Sequence, residues 1–279
     1  MIVKSVPGLE RLTRVLPENS HVLFALAFLT LFLLLPILLL VLSSLNFGGN
    51  VFENYRIALS GVYLNAILLS FFVAGVTTPI LLVLAFGVSY FIVFHATHTR
   101  LMLGLVLLPM WIAYIIRYLG IQLFLYPNGP IVSAFGTNFG LLFSTAGVVL
   151  GLVSGFLPFA VLPIYNSLSS LDRSLLDAST VMGADRFDTI IRVILPLSLS
   201  GLVTAGLLVF ILSAGAFLAP DILGGPSDLM IANMIERSYS DIFNIELAAA
   251  LAVIYTLILS VLLVAFNSYL NIGEVLSDI

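Results

Sequence analysis

The sequence predicts an all-α, polytopic membrane protein with six transmembrane helices. Three observations carry that expectation. Of 279 residues, 61% are hydrophobic and 9% charged, against about 25% charged in a soluble domain, so the chain lacks the polar surface to coat itself in water. Its apolar residues fall in runs long enough for a bilayer, which a helix of about 20 residues crosses. One strongly polar stretch, 171–196 (LDRSLLDASTVMGADRFDTIIRVILP), interrupts them with three of the ten basic residues and four of the fourteen acids. Apolar residues continue through that stretch at helical spacing, which marks an ordered segment. An ordered polar segment between two spans calls for a partner on the water side.

Composition also removes whole classes. There is no Cys, so disulfides and thiolate metal sites are out. The net charge of −4 is spread along the chain with no basic run, which leaves nothing for nucleic acid. His95 and His98 stand beside Arg100 at a membrane edge and read as solvated flank residues, not metal ligands. No nucleophile–base set suggests an enzyme. The first apolar run is longer than the about 7–15 residues of a signal-peptide core and no small-residue cleavage site follows it, so a cleaved leader is not expected.

Residues 1–20 place Leu9, Leu12, Val15 and Leu16 on one face beside Lys4, Arg11 and Arg14, the pattern of a short interfacial helix or of a polar tail. The transmembrane domain is 21–270. Its first span runs from His21 to Leu45, and NFGGN (46–50) is a loop. The second lies within 62–94, longer than a bilayer requires, with a kink expected at Thr77-Thr78-Pro79. HATHTR turns the chain into the third span, Leu101 to about Leu119. YPNGP (126–130) opens a loop before the fourth, about 141–168. There Gly147, Gly151 and Gly155 repeat every four residues, a smooth stripe where another backbone packs closely. Pro158 and Pro163 bend its end. The fifth span starts after Pro196 and runs to Ala219, with a weak helix at SAGA (213–216). PDILGGPSD (220–228) is a loop, and a polar segment leads to the sixth span, about 246–270. Residues 271–279 form an acidic tail.

Counting Lys and Arg by side sets the orientation. With the N-terminus inside, seven (Lys4, Arg11, Arg14, Arg100, Arg173, Arg186, Arg192) lie inside and three (Arg56, Arg117, Arg237) outside. Both termini and the 171–196 stretch are then cytoplasmic.

Within that stretch two helices are expected. Ser169 with Asp172 resembles a capping box for the first, which ends near Met182 with Gly183 in its C-terminal turn. Asp185 with Asp188 caps the second, and Pro196 falls in the first turn of the fifth span. The sequence DASTVMGADRFDTIIRVILP resembles the EAA loop of permease subunits in binding-protein-dependent ABC importers. Asp177 stands for the usual Glu, Ala178 matches, Ser179 replaces the second Ala, Gly183 matches, and so does Ile194-Leu195-Pro196. Flanking YPNGPIVSAFG, FLPFAVLPIYNSLSSLD and FLAPDILGG agree, so the resemblance covers nearly the whole chain and is most similar to the spermidine/putrescine-type branch.

The resemblance implies a type I ABC importer permease fold in a prokaryotic inner membrane, with 171–196 as a cytoplasmic coupling helix that docks on an ATP-binding subunit. It places Asp177, Ala178, Ser179, Val181, Met182, Gly183, Leu195 and Pro196 at the coupling element. It also implies a second permease subunit, two ATP-binding subunits that hold ATP and Mg, and an external solute-binding protein. No cofactor is expected in this chain, whose single Lys, Lys4, has no Walker loop around it.

For the solute path, membrane-embedded ionisable residues are scarce, which suits a passage powered elsewhere. The acidic outer side favours a cation. Candidates are Asp221 at the pore mouth, whose other reading is a turn residue beside Pro220, and Glu246, which also suits the start of the sixth span. Trp111, Tyr114 and Tyr118 form an aromatic stripe that either lines a cation path or sits at the membrane interface. The expected solute is a polyamine. Import of iron, an amino-acid derivative or a phosphonate, and an ATP-independent channel or secondary carrier, stand as alternatives.

Overall fold

The computed structural model describes residues 20–45, 50–135 and 140–270. The expected N-terminal helix (1–19), most of the NFGGN loop and the tail (271–279) lie outside them. Every regular element among the described residues is helical. α1 (Ser20–Ser43) is followed by a short α2 (Glu53–Ala58) and a long α3 (Gly61–Phe94). α4 (Thr99–Leu107) tightens into a 3-10 turn over Leu108–Trp111, and then comes α5 (Tyr114–Leu125). A short α6 (Pro130–Phe135) leads to α7 (Thr145–Ser169). The polar stretch forms α8 (Arg173–Val181), α9 (Arg186–Thr189), a π-helical turn over Ile190–Ile194 and α10 (Leu195–Leu197). α11 (Leu199–Ala214), α12 (Leu218–Leu223), α13 (Ile231–Ser240) and α14 (Ile245–Leu270) complete the fold.

Among the described residues, four helices are long and apolar enough to cross a membrane without a break: 24–43, 61–94, 145–169 and 245–265. The other two expected spans are bent pairs. Thr99–Trp111 meets Tyr114–Leu125 at 93°, and Arg186–Leu197 meets Leu199–Ala214 at 69°. The 93° break falls inside the third span expected from Leu101 to about Leu119, whereas the 69° bend falls where the fifth span was expected to begin, just after Pro196. In the third, Pro109 sits in the 3-10 turn, and Ile112 (ψ 126°) and Ala113 (ψ 137°) are extended. In the fifth, Pro196 has no N–H to continue the helical ladder, a π-turn precedes it, and Ser198 leaves helical geometry at ψ 8°. Pro79, Pro158 and Pro163 each lie inside an uninterrupted helix.

Two apolar clusters hold these helices together. Leu81 of α3, Leu152, Ile164 and Leu168 of α7 and Val209 of α11 are fully buried in one, so α3, α7 and α11 form the centre of the fold. Ile67, Ile231, Leu251 and Tyr255 join α3, α13 and α14 in the other. There Tyr255 donates its hydroxyl to the Ala214 carbonyl (2.7 Å), which satisfies the end of α11 where the SAGA sequence stops the helix. α1 is the opposite case. Its described side chains are almost all exposed and apolar, and in a membrane protein such a face meets lipid or a partner helix.

Candidate functional site: the coupling hairpin and the tyrosine–glycine seam

The polar stretch folds as a hairpin whose turn is set by backbone geometry. α8 ends at Val181, and Gly183 adopts φ +84°. A Cβ there would touch nothing within 4 Å, so the demand for Gly is conformational, not one of space. The Ala184 N–H reaches back to the Ser179 carbonyl (3.1 Å), the long bond of a Schellman turn. Asp185 then caps α9, with its Oδ1 accepting from the Asp188 N–H at 2.7 Å. The hydroxyls of Ser179 and Thr189 lie 3.1 Å apart and tie the two helices side by side. Asp188 pairs with Arg192 at 3.0 Å, an exposed bond one turn long.

The expected capping box at Ser169 is not what forms. Ser169 is the last residue of α7 and donates to the Asn166 carbonyl, while Asp172 alone accepts from the Ser174 N–H at 2.9 Å. That hydrogen bond holds the Asp172 carboxyl below its usual pKa. Its contribution is therefore present above the ordinary carboxylate range and is lost as pH falls through the lowered value.

The hairpin presents grease to water. Val181 is 88% exposed and Met182 87%, and Phe187 is exposed beside them. Asp177 and Ala178 lie on α8 next to this tip. Leu195 and Pro196 are exposed on the short α10. The segment 186–197 runs without a loop from the turn to the start of α11, and α8 follows α7 after a few residues, so the hairpin is joined closely to two membrane helices.

The aromatic candidates separate. Trp111, at the end of the 3-10 turn, is 92% exposed. The break at 112–113 removes it from the stripe that a straight helix would have made. Tyr114 and Tyr118 instead pack on the glycine stripe of α7. A Cβ on Gly155 would lie 2.8 Å from the Tyr118 hydroxyl, and one on Gly151 2.5 Å from Leu223 of α12. At Gly147 the neighbour is backbone, the Leu223 carbonyl at 3.2 Å and the Leu141 carbonyl closer still. The close approach expected from the spacing is therefore made largely by side chains.

Arg117 completes this seam, and sequence reasoning missed it by placing it on the outer surface. Its guanidinium donates to the Pro109 and Ile112 carbonyls at the break, and to Ser154 (3.3 Å) and Gly155 (3.2 Å) of α7. The Ser154 carbonyl is free because its helical donor would be residue 158, a proline without an N–H. The two terminal nitrogens of the guanidinium thus reach four carbonyls, at the helix break and beside the proline, while Nε has no partner among the described residues. The guanidinium carbon lies 5.2 Å from the centre of the Tyr114 ring. The signal available in the sequence was a lone Arg in an uncharged run near two prolines.

The acidic candidates are spread over several elements. Asp221 is exposed on α12, which is helical where a loop was expected. Glu246 is exposed in the first turn of α14, but Asn244 provides the cap, accepting from the Leu247 N–H at 2.9 Å. Asp228 is buried and holds its own loop, accepting from Thr145 (2.6 Å) and the Gly225 N–H (2.8 Å), so it adds nothing to an outer acidic field.

Comparison with known proteins agrees with this architecture. Residues 55–272 match the family of binding-protein-dependent transport system inner membrane components. The spermidine/putrescine transport system permease protein PotB of Escherichia coli (strain K12) is 31% identical over 253 residues, covering 85% of this chain and 92% of that protein. The PotB protein of Haemophilus influenzae is 30% identical over 273 residues, 91% and 95% of the two chains. A bacterial ABC transporter that imports the acidic polysaccharide alginate superposes with a TM-score of 0.77 over 93% of this chain and 98% of its own, at 17% identity. The methionine ABC transporter MetNI, in an inward-facing conformation, gives 0.60 over 76% and 95%, at 18% identity. The chain therefore has the type I importer permease fold and belongs to the binding-protein-dependent transport system inner membrane components, as the permease subunit of an ABC importer.

Proposed function

We propose that this chain forms part of the membrane passage for polyamines such as spermidine and putrescine in a prokaryotic inner membrane. It works beside a second permease chain, two ATP-binding subunits that hold ATP and Mg and carry out hydrolysis, and an external solute-binding protein. Both termini and the 173–189 hairpin lie in the cytoplasm. The observation that carries the reading is the exposed apolar tip of that hairpin, Val181 and Met182, on an element continuous with the helices leading to and from it. Exposed apolar groups on a polar, ordered segment call for a docking partner. ATP closes the ATPase pair, the coupling hairpins move together, and the cavity opens outward to take solute from the binding protein. Hydrolysis resets it.

The polyamine assignment is supported by relatives named for spermidine/putrescine transport. It is supported also by exposed acids at the far end of α11 from the hairpin, namely Asp221, Glu236, Asp241 and Glu246, whose field favours a cation.

Gentle affinity purification of the chain from its native membrane tests the assembly. A Walker-bearing ATPase and a solute-binding protein are expected in stoichiometric amounts, with ATP-dependent uptake of spermidine after reconstitution. Replacing the tip (Val181→Ser with Met182→Ser) should remove the ATPase from the preparation without lowering the yield of the chain. A lone chain that moves solute without ATP would overturn the importer assembly. ATP-dependent uptake of another solute but not of spermidine would overturn the substrate alone.

A further inference from the structure

α13 turns into α14 through a corner whose sequence the fold alone does not explain. The inner face of α13 is taken up within the chain: Ile231 is buried, and Met234 and Ile235 pack beside it in the cluster that joins α3, α13 and α14. The corner itself is closed by backbone bonds. The Asp241 and Ile242 N–H groups donate to the Arg237 carbonyl at 3.0 and 3.1 Å, and the Asn244 N–H donates to the Ser238 carbonyl at 2.9 Å. Phe243, within this turn, has φ +55°. For a bulky residue that left-handed geometry is an outlier, and Gly would take it without strain. The fold does not use the ring either, because Phe243 is 83% exposed. Tyr239, Ile242 and Ile245 are exposed beside it in the chain.

Acids flank these apolar groups. Glu236, Asp241 and Glu246 are exposed, against the single cation Arg237 in the same stretch. Arg237 has no ion pair among the described residues. The Ser240 hydroxyl lies 2.8 Å from Glu236 Oε1 and 3.1 Å from Asp241 Oδ1, so two carboxylates converge on one proton. An apolar centre inside a charged rim is the anatomy of a protein–protein contact, and strain kept at an exposed aromatic residue points to function. The sign of the rim selects the occupant. It repels the phosphates of a lipid surface, and it complements a protein that carries Lys or Arg around an apolar recess. We infer that the α13–α14 corner is the surface on which the external solute-binding protein docks, with the Phe243 ring as its anchor. The inference rests on the importer assembly and the orientation proposed above, which puts this corner outside the membrane. It adds the part of this chain that the partner grips and the basic-rimmed recess that the partner must present. Asn244 also caps α14, accepting from the Leu247 N–H at 2.9 Å, so a load on the corner passes straight into a membrane helix.

The test uses the whole assembly in lipid nanodiscs and the binding protein recovered with it. Phe243→Gly relieves the strain and removes the ring together. It should assemble in full and melt no lower than the parent, while the binding protein docks about tenfold more weakly, as loss of an aromatic anchor requires. The double variant Glu236→Gln with Asp241→Asn should slow association and flatten its dependence on salt. The chain has no Cys, so a nitroxide on Phe243→Cys reports on this corner without background from this subunit. In the free assembly it should meet a water-soluble relaxation agent, and it should lose mobility when the binding protein is added. Three results overturn the inference: normal docking by Phe243→Gly or by the double variant; a nitroxide shielded by lipid from the water-soluble agent, which makes the corner a membrane anchor; or a nitroxide whose mobility is indifferent to the binding protein. Failure of the importer reading shows separately, as a chain purified with no external protein at all.

Discussion

The seam between α5 and α7 and the hairpin at 173–189 follow opposite logics. At the seam, Tyr114 and Tyr118 fill the spaces left by Gly151 and Gly155, and Arg117 donates to carbonyls at the helix break and beside Pro158. Its main polar demands are met within the chain. In the hairpin the backbone is as carefully closed, by the left-handed Gly183, the Asp185 cap and the Ser179–Thr189 contact, but its largest apolar groups point outward. The first region is finished by folding. The second, on the function proposed above, is finished by assembly. Substitutions in the seam should therefore be felt as lost stability, and substitutions in the hairpin as lost coupling with stability kept.

The sharpest test of that division is Gly183→Arg. A side chain in left-handed geometry costs about 1–2 kcal/mol, too little to unfold the chain, and the long cation lies beside the apolar tip. Uptake should fall to background while the subunit still inserts and is recovered at normal yield. Normal uptake with the ATPase still bound would break the comparison.

Next in size is Arg117→Met, which strands carbonyls inside the membrane at about 1–3 kcal/mol each. Thermal unfolding and yield should fall together, and Arg117→Lys, with fewer donors and no planar fork, should recover only part. Adding Pro158→Ala returns an N–H to the Ser154 carbonyl. The loss from Arg117→Met should then be smaller than in the parent, and additive effects would show that the proline and the arginine are unrelated.

The smallest expected effect at the seam is from Gly155→Ala. One methyl placed 2.8 Å from the Tyr118 hydroxyl overpacks the contact, at a cost of about 1–3 kcal/mol. Melting of the detergent-solubilised subunit would register it, and ATPase binding should not.

The hydrophobic runs made the membrane class and the approximate limits of the spans legible, and the polar stretch was recognisable down to its glycine turn and second cap. The breaks were not. Pro79, Pro109, Pro158, Pro163 and Pro196 look alike in sequence, yet only Pro109 and Pro196 stand next to a sharp bend. Whether a helix tolerates a proline depends on what else supplies donors to the carbonyls left open. At Pro158 that donor is Arg117, about 40 positions earlier in the chain, and no local pattern reveals it. The same blindness misplaced Ser169, where Asp172 alone took the capping role. It also left Trp111 on a stripe that the break dissolves.

Arg117 has a consequence in electrical terms. Ser154 and Gly155 lie near the middle of α7, so the guanidinium they accept from sits well inside the apolar layer, and among the described residues no carboxylate is within ion-pairing distance. An Arg keeps its charge. Any step of the transport cycle that shifts the 93° elbow along the membrane normal moves that charge through part of the transmembrane field, where a full crossing is worth about 2.3 kcal/mol per 100 mV. The resting voltage of the cell thus pulls on the scaffold of the passage itself.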